Sequence, residues 1–441
     1  MRSLRWPGRS GSPTAVPRIG LGTRLRAACA PLAVRPYRIH FSARLLSWTG
    51  SAVAPIGLAF AVLGLGGGAT GLGLVLAASV VPQILLLLVG GVVADRWSRA
   101  TVMLWSNVVS AAAETAAALL LWTGAAAVWH LVVTSAVCGA ASAFFTPAAG
   151  GVVVEVVPKE MRHQANALLK IGQNAVKVGG PAIGGAVVAI AGPAWTIGWD
   201  AVSFLAAAVL CARIGLAPSP AKMRTGLVRD LREGWTDFWA RRWLWMMVLQ
   251  GAVVVPVWLV SYQMLGPVFG SRYLGGAGPW GVAVSGFTLG LIAGSAAALM
   301  WKPRLVGVVV CLGTGGMAVP LAAMALDLPL AVVVCATCVA GAGLALSMTM
   351  WASLVQERIP GERLSRVMSY STLGQVLPVP LAYVAAGPLS ALVGLRVMLA
   401  AGAGVIVIAV AMPLAVPQIR TLSLAPALAG EEELVEASAP R

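Results

Sequence analysis

At 441 residues with 59% hydrophobic and only 10% charged side chains, the chain has too little polar surface to clothe a soluble globule, so lipid must be the solvent for most of it. Its 31 Lys and Arg outnumber 15 Asp and Glu, giving a net charge of +16. The bases are scattered over connecting segments instead of gathered on one face, which argues against a nucleic-acid partner.

In chain order, residues 1–38 are rich in Arg, Pro, Gly and Ser and lack the continuous apolar core of a cleavable signal. They are expected to form a disordered basic arm near anionic headgroups. Apolar runs of about 20 residues then recur, the length of a helix that spans a hydrocarbon core, while the alternation of a membrane barrel is absent. Breaks between the runs predict helices near 43–65, 71–94, 100–123, 126–149, 165–190 and 193–214, then 242–266, 279–301, 304–325, 329–353, 365–390 and 393–416. The expected organisation is a six-helix bundle over 39–214, a linker over 215–241, a second six-helix bundle over 242–417 and a polar tail over 418–441. Within the linker, Leu227, Leu231, Trp235 and Phe238 recur at three- and four-residue spacing, which predicts an amphipathic helix along the inner membrane face.

If both termini are cytoplasmic, the inner links carry Arg96 and Arg99, Lys159 and Arg162, Arg213 through Arg242, Lys302 and Arg304, and Arg358, Arg363 and Arg366. The outer links hold Arg272 and Arg396 alone. That asymmetry is the positive-inside pattern and sets the orientation.

The two halves repeat. At an offset of 202, Gly139-Ala140 falls on Gly341-Ala342, Glu155 on Glu357, Pro158 on Pro360, Glu160 on Glu362, Gly172-Gln173 on Gly374-Gln375, Gly185 on Gly387 and Gly192 on Gly394. Glu, Gln and Pro are scarce here, so apolar composition does not account for the matches, and two copies of one six-helix unit, inserted in parallel, do.

Between the second and third predicted helices, residues 90–104 read GGVVADRWSRATVML and set Asp95, Arg96 and Arg99 between apolar segments. The stretch resembles the loop signature of the major facilitator superfamily: Gly91, Asp95, Arg96 and Arg99 match, while Ser98 and Ala100 depart from the usual Gly and base. Helix 5 contains NAVKVGGPAIGG, whose Gly180, Pro181 and Gly184 resemble the helix 5 signature of exporters in that superfamily, with Val176 in place of an earlier Gly. Small residues there admit close helix approach, and Pro181 bends the axis. With WDAVSFLAAA at 199–208 and the linker, the chain from Tyr37 to about Pro417 is similar to the bacterial branch of siderophore, drug and macrolide efflux proteins.

The resemblance implies an all-α membrane protein, twelve transmembrane helices in two pseudo-symmetric bundles of the major facilitator fold, exporting amphipathic small molecules by alternating access. It implies no cofactor, with a proton gradient as energy source in an antiport, and residence in a bacterial inner membrane. The expected partners are a small-molecule substrate and the bilayer, and the expected state is a monomer. A non-transporting sensor or assembly protein on the same scaffold, or an importer of a small solute, is the alternative reading. Enzyme chemistry is disfavoured: no phosphate loop, nucleophile elbow or metal-ligand cluster stands out, and His40, His130 and His163 are the only histidines. Cys335-x-x-Cys338 lacks an accompanying His or carboxylate and reads as packing.

Candidate site residues follow from the cost of charge inside lipid. Asp95 is expected to gate, with Arg96 and Arg99 as local partners. Glu114 in helix 3, Asp200 in helix 6 and Lys177 in helix 5 are candidates for proton coupling or cavity lining, a buried pair between Lys177 and an acid being the competing account, and Lys170 is expected to snorkel. Glu155 and Glu357 are expected to form structural ion pairs with nearby bases. Helix 4 has Ser135 where many proton-coupled members carry Arg. Among the tryptophans, Trp122, Trp129, Trp195, Trp243, Trp245, Trp280 and Trp301 are expected at headgroup depth, whereas Trp48, Trp258 and Trp351 are candidates for stacking on a flat substrate.

Overall fold

The computed structural model describes residues 29–214, 239, 241–301, 303–359, 368 and 371–423, and for Leu88 and Asp95 the backbone alone. The expected basic arm up to residue 28, the amphipathic linker helix and the tail from 424 lie outside the described residues.

Among the described residues, twelve helices are long and apolar enough to cross a membrane. They are α1 (Arg35–Gly64), α2 (Gly68–Arg96), α3 (Arg99–Trp122), α4 (Val128–Val156), α5 (Arg162–Ala191) and α6 (Pro193–Ala212), followed by α7 (Arg242–Tyr273), α8 (Ala277–Met300), α9 (Val306–Ala325), α10 (Leu330–Arg358), α11 (Ser371–Val393) and α12 (Leu395–Leu414). Helix is the form that satisfies every backbone donor and acceptor within one segment, as an apolar solvent demands. Three spans are irregular. α7 passes through a π-helical stretch at Leu259–Met264, α9 breaks between Gly315 and Ala318, and α11 turns at Leu377–Pro378. Because the number of crossings is even, residues 29 and 423 lie on one face, called here the termini face.

The internal repeat has a structural counterpart. Gly192 ends α5 at φ 93° and begins α6, and Gly394 ends α11 at φ 89° and begins α12, both in the region that side chains avoid. Gly139 of α4 lies against the Ser79 carbonyl of α2, and its repeat mate Gly341 of α10 lies against the Phe287 carbonyl of α8. The same pairs pack in each half: α2 with α4 and α8 with α10, α3 with α6 and α9 with α12, α1 with α6 and α7 with α12.

The two groups of six meet through α5 against α8 and α2 against α11. Their close approaches lie away from the termini face. Gly185 and Pro181 abut Gly281 and Ala277, Gly73 abuts the Tyr383 carbonyl, and Gly387 abuts Thr70. Lys177 lies one turn before Pro181 and two before Gly185, so it shares the face of α5 that meets α8 further along. It is exposed, as are Lys170 and Asn174 on the same stripe. The groups therefore splay apart toward the termini face, leaving a cleft that opens there.

Candidate functional site

A cavity of about 220 Å³ opens inside the first group of helices, between α1, α3, α4 and α6. Ser47, Ser51, Ser106, Ser110, Ser142 and Thr146 are among the residues that line it. Trp48, Phe145 and Phe204 supply its apolar wall, and Asn107 and Cys138 complete the lining.

Arg44 stands at this cavity with its guanidinium over two aromatic rings, 4.6 Å from the Trp48 centroid and 4.9 Å from that of Phe145. No carboxylate among the described residues pairs with it. His40, one turn nearer the termini face, is fully buried, and its Nδ1 has no partner. Arg44 was not among the residues that sequence reasoning singled out. The predicted helix began at 43, which puts Arg44 at an interface, whereas α1 begins at Arg35 and carries it more than two turns inward. The available signal was helical spacing: Tyr37, His40, Arg44 and Ser47 recur every three or four residues, one polar stripe on an otherwise apolar helix.

Beyond Cys138 lie the two acids. The Cys138 thiol donates to Glu114 Oε1 at 3.5 Å. Asp200 is buried, with the Ser203 hydroxyl 3.2 Å from its Oδ1. Its carboxylate lies where a side chain at Gly50 would project, so Gly50 is what lets α1 approach α6 here. The fold thus brings together three residues that the sequence scatters, Trp48, Glu114 and Asp200, and adds Arg44. At the repeat offset of 202, the second half has Met246, Gly316 and Gly402 in place of Arg44, Glu114 and Asp200. The ionisable cluster belongs to one half only.

Lys177 is elsewhere. It faces the cleft and forms no ion pair among the described residues, so the expected buried pair with an acid is not made. Lys170 is exposed on the same stripe, two turns nearer the termini face.

On the termini face, Asp95 lies in the last turn of α2, where its backbone is described and its side chain is not. Arg96 is exposed. Arg99 reaches α4, where its guanidinium covers Gly151 and Nε comes within 3.0 Å of Glu155 Oε1, an ion pair held by proximity more than by a directed hydrogen bond. Glu155 is accordingly a structural acid, as expected. Its repeat mate Glu357 is exposed and makes no ion pair among the described residues. Gly91 faces open space, and the packed glycine of α2 is its neighbour Gly90, against the Ala143 carbonyl. Arg162 caps the end of α4, donating to the carbonyls of Val154 at 2.7 Å and Val157 at 3.2 Å.

The exporter-like stretch of α5 works on two sides. Gly180 and Gly184 press onto Ala52 and Val53 of α1, and the Pro181 carbonyl meets Gly281 of α8. The motif is the joint through which α5 touches its own group and the opposite one at once.

Two tryptophans differ from expectation. Trp280 is 2% exposed, wedged over Gly266 and Gly270 with its ring 5.1 Å from Tyr262, and so is core instead of a headgroup anchor. Trp258 is 5% exposed and stacks on Tyr262 at 4.3 Å within the second group, and Trp351 sets its edge to Trp243 at 5.9 Å near the termini face. Trp122 and Trp195 pair at 5.3 Å and are exposed at the far face, as anchors would be. Single-residue hydrophobicity does not separate a buried indole from an interfacial one; the glycines opposite Trp280 do.

The model of the Major Facilitator Superfamily matches residues 40–382, and the chain belongs to that superfamily. No curated protein matches the sequence significantly. Among solved structures, the nucleoside transporter NupG superposes with a TM-score of 0.67 at 10% identity, over 86% of this chain and 98% of that one. A bacterial homologue of the iron transporter ferroportin in its inward-facing state gives 0.67 at 16% identity, over 86% and 98%. A POT family transporter in complex with 5-aminolevulinic acid gives 0.70 at 12%, over 87% and 96%. At these identities the likeness is one of fold. The fold is therefore that of a multi-pass membrane transporter with twelve spans.

Proposed function

We propose that this chain is a secondary active exporter of amphipathic small molecules, driven by proton entry, with its termini on the cytoplasmic side of a bacterial inner membrane. The observation that carries the reading is the presence of two intramembrane acids in one half of the molecule only, Glu114 accepting from the Cys138 thiol that lines the polar cavity and Asp200 buried where α6 meets α1. A carboxyl held inside the membrane can take up a proton from one side and release it when its compartment is opened to the other. Rocking the two groups of helices about the cleft supplies that change of access.

The positive-inside distribution supports the orientation. The resemblance of Gly180, Pro181 and Gly184 to exporter sequences supports the direction. The gating role is proposed for Asp95, in the last turn of α2 at the termini face, with Arg99 committed to Glu155. Ser135 in α4, where a base is usual among proton-coupled members, leaves Arg44 of α1 as the cation of this compartment.

The test uses inverted vesicles with an imposed pH gradient and a broad panel of fluorescent amphipathic compounds. Uphill accumulation is expected in the native protein, and it should be lost in Glu114→Gln or Asp200→Asn with downhill exchange retained. Accumulation that survives in both variants overturns the coupling role, and movement of no compound favours a sensor or assembly protein.

A further inference from the structure

We infer that the cavity beside Arg44 binds the anionic head of its cargo, a carboxylate or similar oxyanion carried on a flat apolar body. The inference rests on reading this cavity as the cargo site of the proposed transporter.

Three observations converge. First, the Arg44 guanidinium lies over the rings of Trp48 and Phe145, and among the described residues its N–H groups donate to nothing. A cation taken out of bulk water without an anion is costly, and a bidentate oxyanion is the partner whose shape fits a planar fork. Second, the groups around it suit the same ligand. Ser47, Ser106 and Ser142 offer hydroxyl donors, Asn107 an amide, and no carboxylate lines the cavity itself. Glu114 is reached through the Cys138 thiol, and neither it nor Asp200 is among the residues that line the cavity. Third, Lys170 and Lys177 are exposed on the stripe of α5 that meets α8 further along, so the cleft side of this half carries positive charge, and a cleft lined by one sign of charge concentrates ligands of the other.

The apolar body follows from the remaining walls. Trp48, Phe145 and Phe204 present ring surface, and a cavity of about 220 Å³ admits an aromatic ring system with its carboxylate but not a large siderophore in full. Trp48, a stacking candidate from sequence, thereby has two roles: it fixes the guanidinium and it faces the ligand.

The experiment measures equilibrium binding to purified full-length protein in phosphatidylcholine nanodiscs, using 2-naphthoate, its neutral isostere 2-naphthamide and the cation 2-naphthylmethylammonium as probes. The naphthoate is expected to bind saturably and at least about tenfold more tightly than the amide, the size of one charge-assisted contact. Arg44→Gln should erase that preference, and Arg44→Lys should keep part of it. Equal affinities, a preference for the ammonium, or no saturable naphthoate binding to the native protein overturns the inference, and these comparisons need no variant to fold. A preference undiminished in Arg44→Gln overturns it as well. No gradient is involved, so the outcome is separable from the vesicle test: Arg44-dependent anion binding without transport would defeat the exporter reading alone, and uphill transport of cations alone would defeat this inference alone.

Discussion

Asp200 of α6 and Gly50 of α1 are in direct contact, the carboxylate occupying the space into which a side chain at position 50 would grow. The acid is held by a neighbour's lack of a side chain as much as by its bond with Ser203. Gly50→Ala should therefore displace Asp200 and destabilise the protein by about 1–3 kcal/mol, as overpacking of a filled core does. Thermal unfolding in detergent measures it; an unchanged midpoint would show that α1 and α6 are not in contact there.

The Arg99–Glu155 pair gives a second prediction. Both side chains are 21% exposed, so solvent screens the pair in part. A double-mutant cycle with Arg99→Gln and Glu155→Gln should report a coupling of at most about 1 kcal/mol. Gly151→Leu should abolish that coupling by filling the space the guanidinium occupies. A coupling that survives Gly151→Leu would mean that the arginine has another route to the acid.

Asp95→Asn should lower turnover several-fold in the vesicle assay while insertion and unfolding temperature stay as in the native protein. Unaltered flux would remove the gating role and leave the α2–α3 link as a topological feature only.

The far-end contact between α5 and α8 allows a chemical lock. A Cβ at Gly278 would lie 3.8 Å from that of Ala189, the mean separation across a disulfide. With the six native cysteines replaced, the double variant Ala189→Cys and Gly278→Cys should cross-link on mild oxidation and lose transport, and a reductant should restore it. Cross-linking without loss of transport would show that this contact need not open during the cycle.

Trp280→Ala should cost about 3–5 kcal/mol, since it empties a core site over Gly266 and Gly270, whereas the exposed Trp129→Ala should change the unfolding midpoint little. Equal effects would return Trp280 to the class of interfacial anchors.

What could be read from the sequence was what local composition and repetition encode. Spans such as α3, expected at 100–123 and found at Arg99–Trp122, and α6, expected at 193–214 and found at Pro193–Ala212, follow from hydropathy alone. The repeat placed Gly192 and Gly394 in equivalent positions before their shared backbone conformation was seen. Harder to read were features that depend on which helix faces meet. α1 starts earlier than the apolar run suggests because Arg38, His40 and Arg44 interrupt that run, and two of them, His40 and Arg44, are turned inward, which hydropathy does not register. Lys177 and the acids all looked like intramembrane charges, yet one faces the cleft and the others an enclosed pocket on α3 and α6, a distinction made by helix rotation. The π-helical stretch of α7 and the break in α9 have no pattern that the apolar runs reveal.

Where α5 meets α8, main chain touches main chain: a methyl on Gly185 would come within 3.0 Å of the Gly281 Cα, and a small apolar cluster of Val188, Ala277 and Ile56 lies beside it. A seam this small strands few greasy groups in water once it parts. Neither the shut nor the parted arrangement is then heavily favoured. A modest difference in how tightly each one grips its passenger suffices to tip the balance.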